Sequence, residues 1–133
     1  MKAIAAVATF FCLAGQAPAQ GYPASCWVIT DLRGVSFHQG DAYKPAEDGI
    51  SAPITLRLDG DSSTTGISGM VTRQVDQFMA LSFSRGDAIT TMEVYQIDPS
   101  AGIATYTKSM AVKGYMGGAS GAMAFVGQAA RCR

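Results

Sequence analysis

The sequence predicts an all-β fold: a small antiparallel β-barrel of about eight short strands, with a two-sheet β-sandwich as the alternative. Three observations carry that expectation. Apolar residues recur at every second position in short runs. Clusters of Gly, Pro, Asp and Ser interrupt those runs roughly every 8–12 residues. Beyond the N-terminal segment, no stretch combines helical spacing of apolar residues with an Ala-, Leu-, Glu- and Lys-rich background.

Cys26-Trp27-Val28-Ile29-Thr30 opens the first strand, and Val35 to Phe37 continues it past Gly34, where a bulge or sharp bend is expected. His38 to Pro53, "HQGDAYKPAEDGISAP", reads as one long loop because Gly, Pro and charge run through it. Ile54 to Asp59 is the cleanest strand, with Ile54, Leu56 and Leu58 on one face and Thr55, Arg57 and Asp59 on the other. Gly66 to Val75 is a weaker strand, diluted by Gly69. Phe78 to Ser84 sets Met79, Leu81 and Phe83 on one side. Arg85-Gly86-Asp87 then turns the chain into Ile89 to Ile97. In Asp98-Pro99-Ser100-Ala101-Gly102, Pro99 presets a turn, Asp98 bonds forward to the backbone and Gly102 tolerates positive φ. That turn leads into Ile103 to Thr107 and a short strand at Met110 to Val112. A glycine-rich loop, "KGYMGGASG", precedes the last strand, Met123 to Gln128.

Residues 1–19 read as a secretory signal peptide: Lys2, an uncharged apolar run from Ala3 to Gly15, then Ala17-Pro18-Ala19 at the cleavage site. The run is shorter than the roughly 20 residues that span a bilayer, and no basic stop-transfer cluster follows it. Residues 20–133 then form a single β domain, exported to the periplasm or the extracellular space. Export leaves two cysteines, Cys26 and Cys132, expected to pair as a disulfide. That bond brings the two ends of the fold together, so the first and last strands can be neighbours and the sheet can lose its open edges.

The sequence holds ten basic and ten acidic residues, and the basic ones are spread singly. Nucleic acid and anionic membrane surfaces are not expected partners, because both recruit clustered positive charge. No cofactor or metal motif is present. His38 is the only histidine, three residues before Asp41, and any hydrolase chemistry of the Ser-His-Asp type rests on it. Glu93, alone on a strand, reads as a solvated charge. "DGDSST" from Asp59 places carboxylates at Asp59 and Asp61 and a hydroxyl at Ser63, a weak cation candidate. An EF-hand loop starting there needs Gly and Glu where this chain has Thr64 and Met70. The glycine-rich loop offers Tyr115, Met116, Gly117, Gly118 and Ser120 as a binding loop at the mouth of the fold.

The expected signal peptide, closed β fold and disulfide resemble, in architecture, the small periplasmic lysozyme inhibitors. "SGMVT" at Ser68 to Thr72 lacks the tyrosine of their inhibitory loop, so no site residues carry over. Three functions follow as expectations, the third being the hydrolase that uses His38. The first is a non-enzymatic binding protein for a small apolar molecule or a partner protein, with Trp27, Phe37, Met79, Phe83, Tyr106 and Phe125 as candidate cavity or core residues. The second is an exported enzyme inhibitor acting through a surface loop.

Overall fold

A computed structural model describes residues 21–133, apart from the side chains of residues 115–117. The expected signal peptide lies outside the described residues. Eight antiparallel strands form one sheet: β1 (Ser25–His38), β2 (Pro45–Ile50), β3 (Ile54–Leu58), β4 (Val71–Asp76), β5 (Met79–Arg85), β6 (Ile89–Asp98), β7 (Ile103–Val112) and β8 (Gly121–Arg131). The all-β class and the strand count agree with the sequence. The two-sheet sandwich does not form.

The strand order is β2-β1-β8-β7-β6-β5-β4, with β3 also on β1. Both β2 and β3 lie on the same edge of β1, β3 along its first half and β2 along its second. They act as one strand broken at Ser51-Ala52-Pro53. First and last strands pair along almost their whole length. The Cys26–Cys132 disulfide ties their ends, with Cα atoms 5.4 Å apart.

The ladder does not close into a barrel. Its edges are β2 with β3 on one side and β4 on the other; β3 and β4 are consecutive in sequence, and the segment between them spans the gap. That segment folds back on β3 through Arg57 N to Thr64 O (2.8 Å) and Thr64 N to Arg57 O (2.9 Å). It then reaches β4 through Gln74 N to Gly60 O and Gly60 N to Gln74 Oε1, both 3.0 Å. One backbone bond and one to a side chain therefore stand where a full ladder would be.

β1 owes its curvature to two positions. The register with β8 shifts between Thr30 and Arg33, and Asp31 takes a left-handed φ of 53°. The extra residue lets Ile29 and Leu32 both face inward. Gly34 is not the bulge. It sits where a Cβ would run into the Ala124 carbonyl oxygen and lie 2.9 Å from the Phe125 Cα, so only a residue without a side chain fits between β1 and β8. The Asp98 turn forms as expected: Ser100 N (3.0 Å), Ser100 Oγ (2.6 Å) and Ala101 N (3.1 Å) all donate to Asp98 Oδ1. These donors hold the exposed carboxyl below its ordinary pKa, the Ser100 hydroxyl first.

Cross-strand registers sort the inner face into rows. Ala80, Tyr95, Tyr106, Phe125 and Gly34 align across β5, β6, β7, β8 and β1. With Trp27, Ile29, Leu32, Leu56, Leu58, Ile97 and Ala104 they form the apolar core. One step along the strands the next row reads Thr72, Ser82, Glu93, Lys108, Met123 and Ser36. The concave face is thus divided, one half apolar and filled with side chains, the other half polar.

Candidate functional site

Alternation along β6 turns Thr91, Glu93, Tyr95 and Ile97 inward. Glu93 is therefore 2% exposed, not the solvated charge its isolation in the sequence suggests. Three donors surround it. Tyr95 Oη donates to Oε2 at 2.6 Å, Tyr106 Oη donates to Oε1 at 3.0 Å, and Lys108 Nζ stands 3.2 Å from Oε1. Each position follows from register: Lys108 lies directly opposite Glu93 on β7, and Tyr95 lies opposite Tyr106 in the next row. The two tyrosine rings pack with centroids 5.0 Å apart, which fixes both phenols toward the carboxylate. Beside the pair, Thr72 and Ser82 hydroxyls bond at 2.7 Å. No buried side-chain polar atom among the described residues lacks a partner.

Burial raises the pKa of both phenols well above the ordinary tyrosine value, and the neighbouring carboxylate adds to it. An oxyanion beside Glu93 in a desolvated site is unfavourable, so both tyrosines stay donors. The Thr65 hydroxyl reaches Tyr95 and opposes the shift as the smallest contribution.

Glu93, Tyr106 and Lys108 of this network form the floor of a cleft of ≈ 400 Å3. Ile50, Ala52, Pro53 and Ile54 make one wall, where the β2–β3 strand breaks. Thr65, Gly66 and Ile67 make the other, from the segment that spans the gap between the sheet edges. Lys108, with 26% of its side chain exposed, is the charged group that meets both the network and the opening. Glu93 is the acceptor found for it among the described residues. Two of its three ammonium N–H bonds are left for the cleft.

Two other hollows differ in kind. One of ≈ 440 Å3 lies at the disulfide end between Arg57, Asp59 and Arg131. There Arg131 stacks over the Trp27 ring at 4.5 Å. The other, ≈ 720 Å3, is an open strip along β1 and β2 beside Arg33, Glu47 and Asp48. Their charged residues are exposed, so neither holds a desolvated polar group.

The residues singled out in the sequence lie elsewhere. His38 ends β1 opposite Gly121, and no side-chain hydrogen bond joins it to Asp41 or Ser36 among the described residues. Asp59, Asp61 and Ser63 lie in the gap-spanning segment. Ser63 Oγ accepts from Asp59 N at 2.8 Å and donates to Gly60 O at 2.7 Å, while Asp61 pairs with Arg73 at 3.6 Å. No group of three His, Cys, Asp or Glu among the described residues is placed to share a metal ion. The glycine-rich loop contains a 3₁₀ turn, Gly114–Ala119. Ser120 anchors it by accepting from Val112 N at 2.8 Å and by giving its carbonyl to Gln39 N at 2.8 Å. The side chains of Tyr115 and Met116 lie outside the described residues. Of the aromatic and methionine set, Trp27, Tyr106 and Phe125 are core, whereas Phe83 is exposed on the outer face.

None of the described helices is long and apolar enough to cross a membrane. Against protein-family models, curated proteins and solved structures, the chain finds no match.

Proposed function

We propose that the chain is an exported, non-enzymatic binding protein that holds one small molecule in the cleft above Glu93 and Lys108. One observation carries the reading: a hollow of ligand size lies over a buried glutamate paired with a part-exposed lysine that keeps donors on the open side. A purely structural network has no need of an opening. The apolar half of the concave face is filled by Tyr95, Tyr106, Phe125 and their neighbours, so the ligand belongs in the cleft and not in a lumen. The Glu93 oxygens already accept from three donors, which favours a positioning role for the carboxylate over a catalytic one. Native mass spectrometry of protein purified gently from the exported fraction tests this. A single small adduct on the wild type that is absent from Ala52→Trp, which fills the cleft wall, supports it. An adduct unchanged in that variant counts against the cleft.

A partner-protein reading draws on a different face. Val71, Phe83 and Met92 align in one outward row and are 49%, 41% and 49% exposed. A row of large apolar side chains in water is a recognised mark of protein contact. Co-purification of a partner that survives Ala52→Trp but is lost in Phe83→Ser supports this second reading. Retention in Phe83→Ser removes it.

A further inference from the structure

The charges on the cleft floor restrict what the cleft accepts. Glu93 and Lys108 form a closed pair of opposite sign, 3.2 Å apart, so the floor is neutral as a whole. Ile50, Pro53, Ile54 and Ile67 line the walls with hydrocarbon. A carboxylate seated on Lys108 places a second anion beside the Glu93 carboxylate, which is itself 2% exposed and so poorly screened. An ammonium faces the same difficulty with Lys108, and the Glu93 oxygens it would seek already accept from Tyr95, Tyr106 and Lys108. A carbonyl oxygen accepts a Lys108 N–H and brings no net charge.

We propose that the cleft selects an uncharged molecule with an apolar body and one hydrogen-bond acceptor, a ketone, ester or amide carbonyl, over a carboxylate or ammonium of equal length. The inference rests on the cleft being the binding site. The carbonyl docks on the Lys108 ammonium, and the chain lies between the Ile54 and Ile67 walls.

Three probes of matched length separate the cases at neutral pH: 2-octanone, octanoate and octylammonium. Each is titrated into 15N-labelled mature protein while the amide signals of Thr55, Thr65, Ile67 and Lys108 are followed. The expected result is saturation by 2-octanone at a concentration at least about tenfold below that for either ion. Ile67→Trp, an exposed position outside the Glu93 network, should remove the 2-octanone response while the rest of the spectrum stays folded. Equal or tighter binding of octanoate or octylammonium at these amides overturns the selection and leaves the cleft as a binding site. If no probe shifts these amides, or if 2-octanone saturates signals elsewhere, both the selection and the cleft reading fail.

Discussion

A carboxylate that is 2% exposed costs free energy to desolvate, and Glu93 offsets that cost with two phenols and an ammonium. Removing Glu93 leaves two buried phenols without their acceptor, and removing Lys108 leaves a buried carboxylate without its counter-charge. Glu93→Leu is therefore expected to lower unfolding free energy by about 2–5 kcal/mol in urea titration. Glu93→Leu combined with Lys108→Met should cost less than the sum of the two single changes, and simple additivity would mean the charges do not interact. The tyrosines give a pH signature. Their folded pKa values lie above the unfolded value of 10.0, so their contribution is whole below pH 10 and is lost as pH rises beyond it. Ultraviolet titration should show Tyr95 and Tyr106 ionising only as the protein unfolds. Ionisation of these two phenols near the ordinary value with the fold intact would contradict the network. Glu93 was legible in principle, since it shares parity with Tyr95 and Ile97 on a strand that alternation identifies. Its partners were not, because Lys108 becomes its neighbour only through the β6–β7 register.

Strand existence followed from alternation, but faces and ends did not. β2 is an exposed edge strand containing Pro45, Glu47, Asp48 and Gly49, so its composition reads as loop although its backbone pairs with β1. β4 starts only at Val71, because Gly66 and Gly69 take positive φ and keep the preceding residues out of the ladder. On β5 the apolar residues Met79, Leu81 and Phe83 face outward, and Ala80 and Ser82 face inward. Alternation alone cannot tell which face a sheet buries; the polar row opposite Ser82 decided it. Composition marks Gly34 for a bend, but the bulge falls at Asp31 and Gly34 answers a close approach of β8. Gly34→Ala should therefore cost roughly 1–3 kcal/mol, as overpacking at a backbone contact does. An unchanged melting temperature would contradict that account. The disulfide was the one long-range contact readable from the sequence. Cys132→Ser should lower stability by about 4 kcal/mol, read by denaturant titration without reductant, given the 106-residue separation that the bond closes.

The whole molecule is a curled single sheet whose edge strands β3 and β4 do not pair, and the gap between them is what makes a cleft available. Loop closure places Asp59 to Ile67 across that gap, so a stretch that looks like a cation loop in sequence acts as a wall. The division of the concave face sets the cleft at the polar end, because the aromatic rows fill the other. The binding reading requires that small molecules enter above Glu93 and Lys108. A fragment screen on the 15N-labelled protein, with every amide shift mapped onto the fold, checks this. Saturable hits are expected to cluster at Thr55, Thr65 to Ile67, Glu93 and Lys108. Hits that cluster at Arg57 and Arg131, or along Lys113 to Ser120, would contradict it.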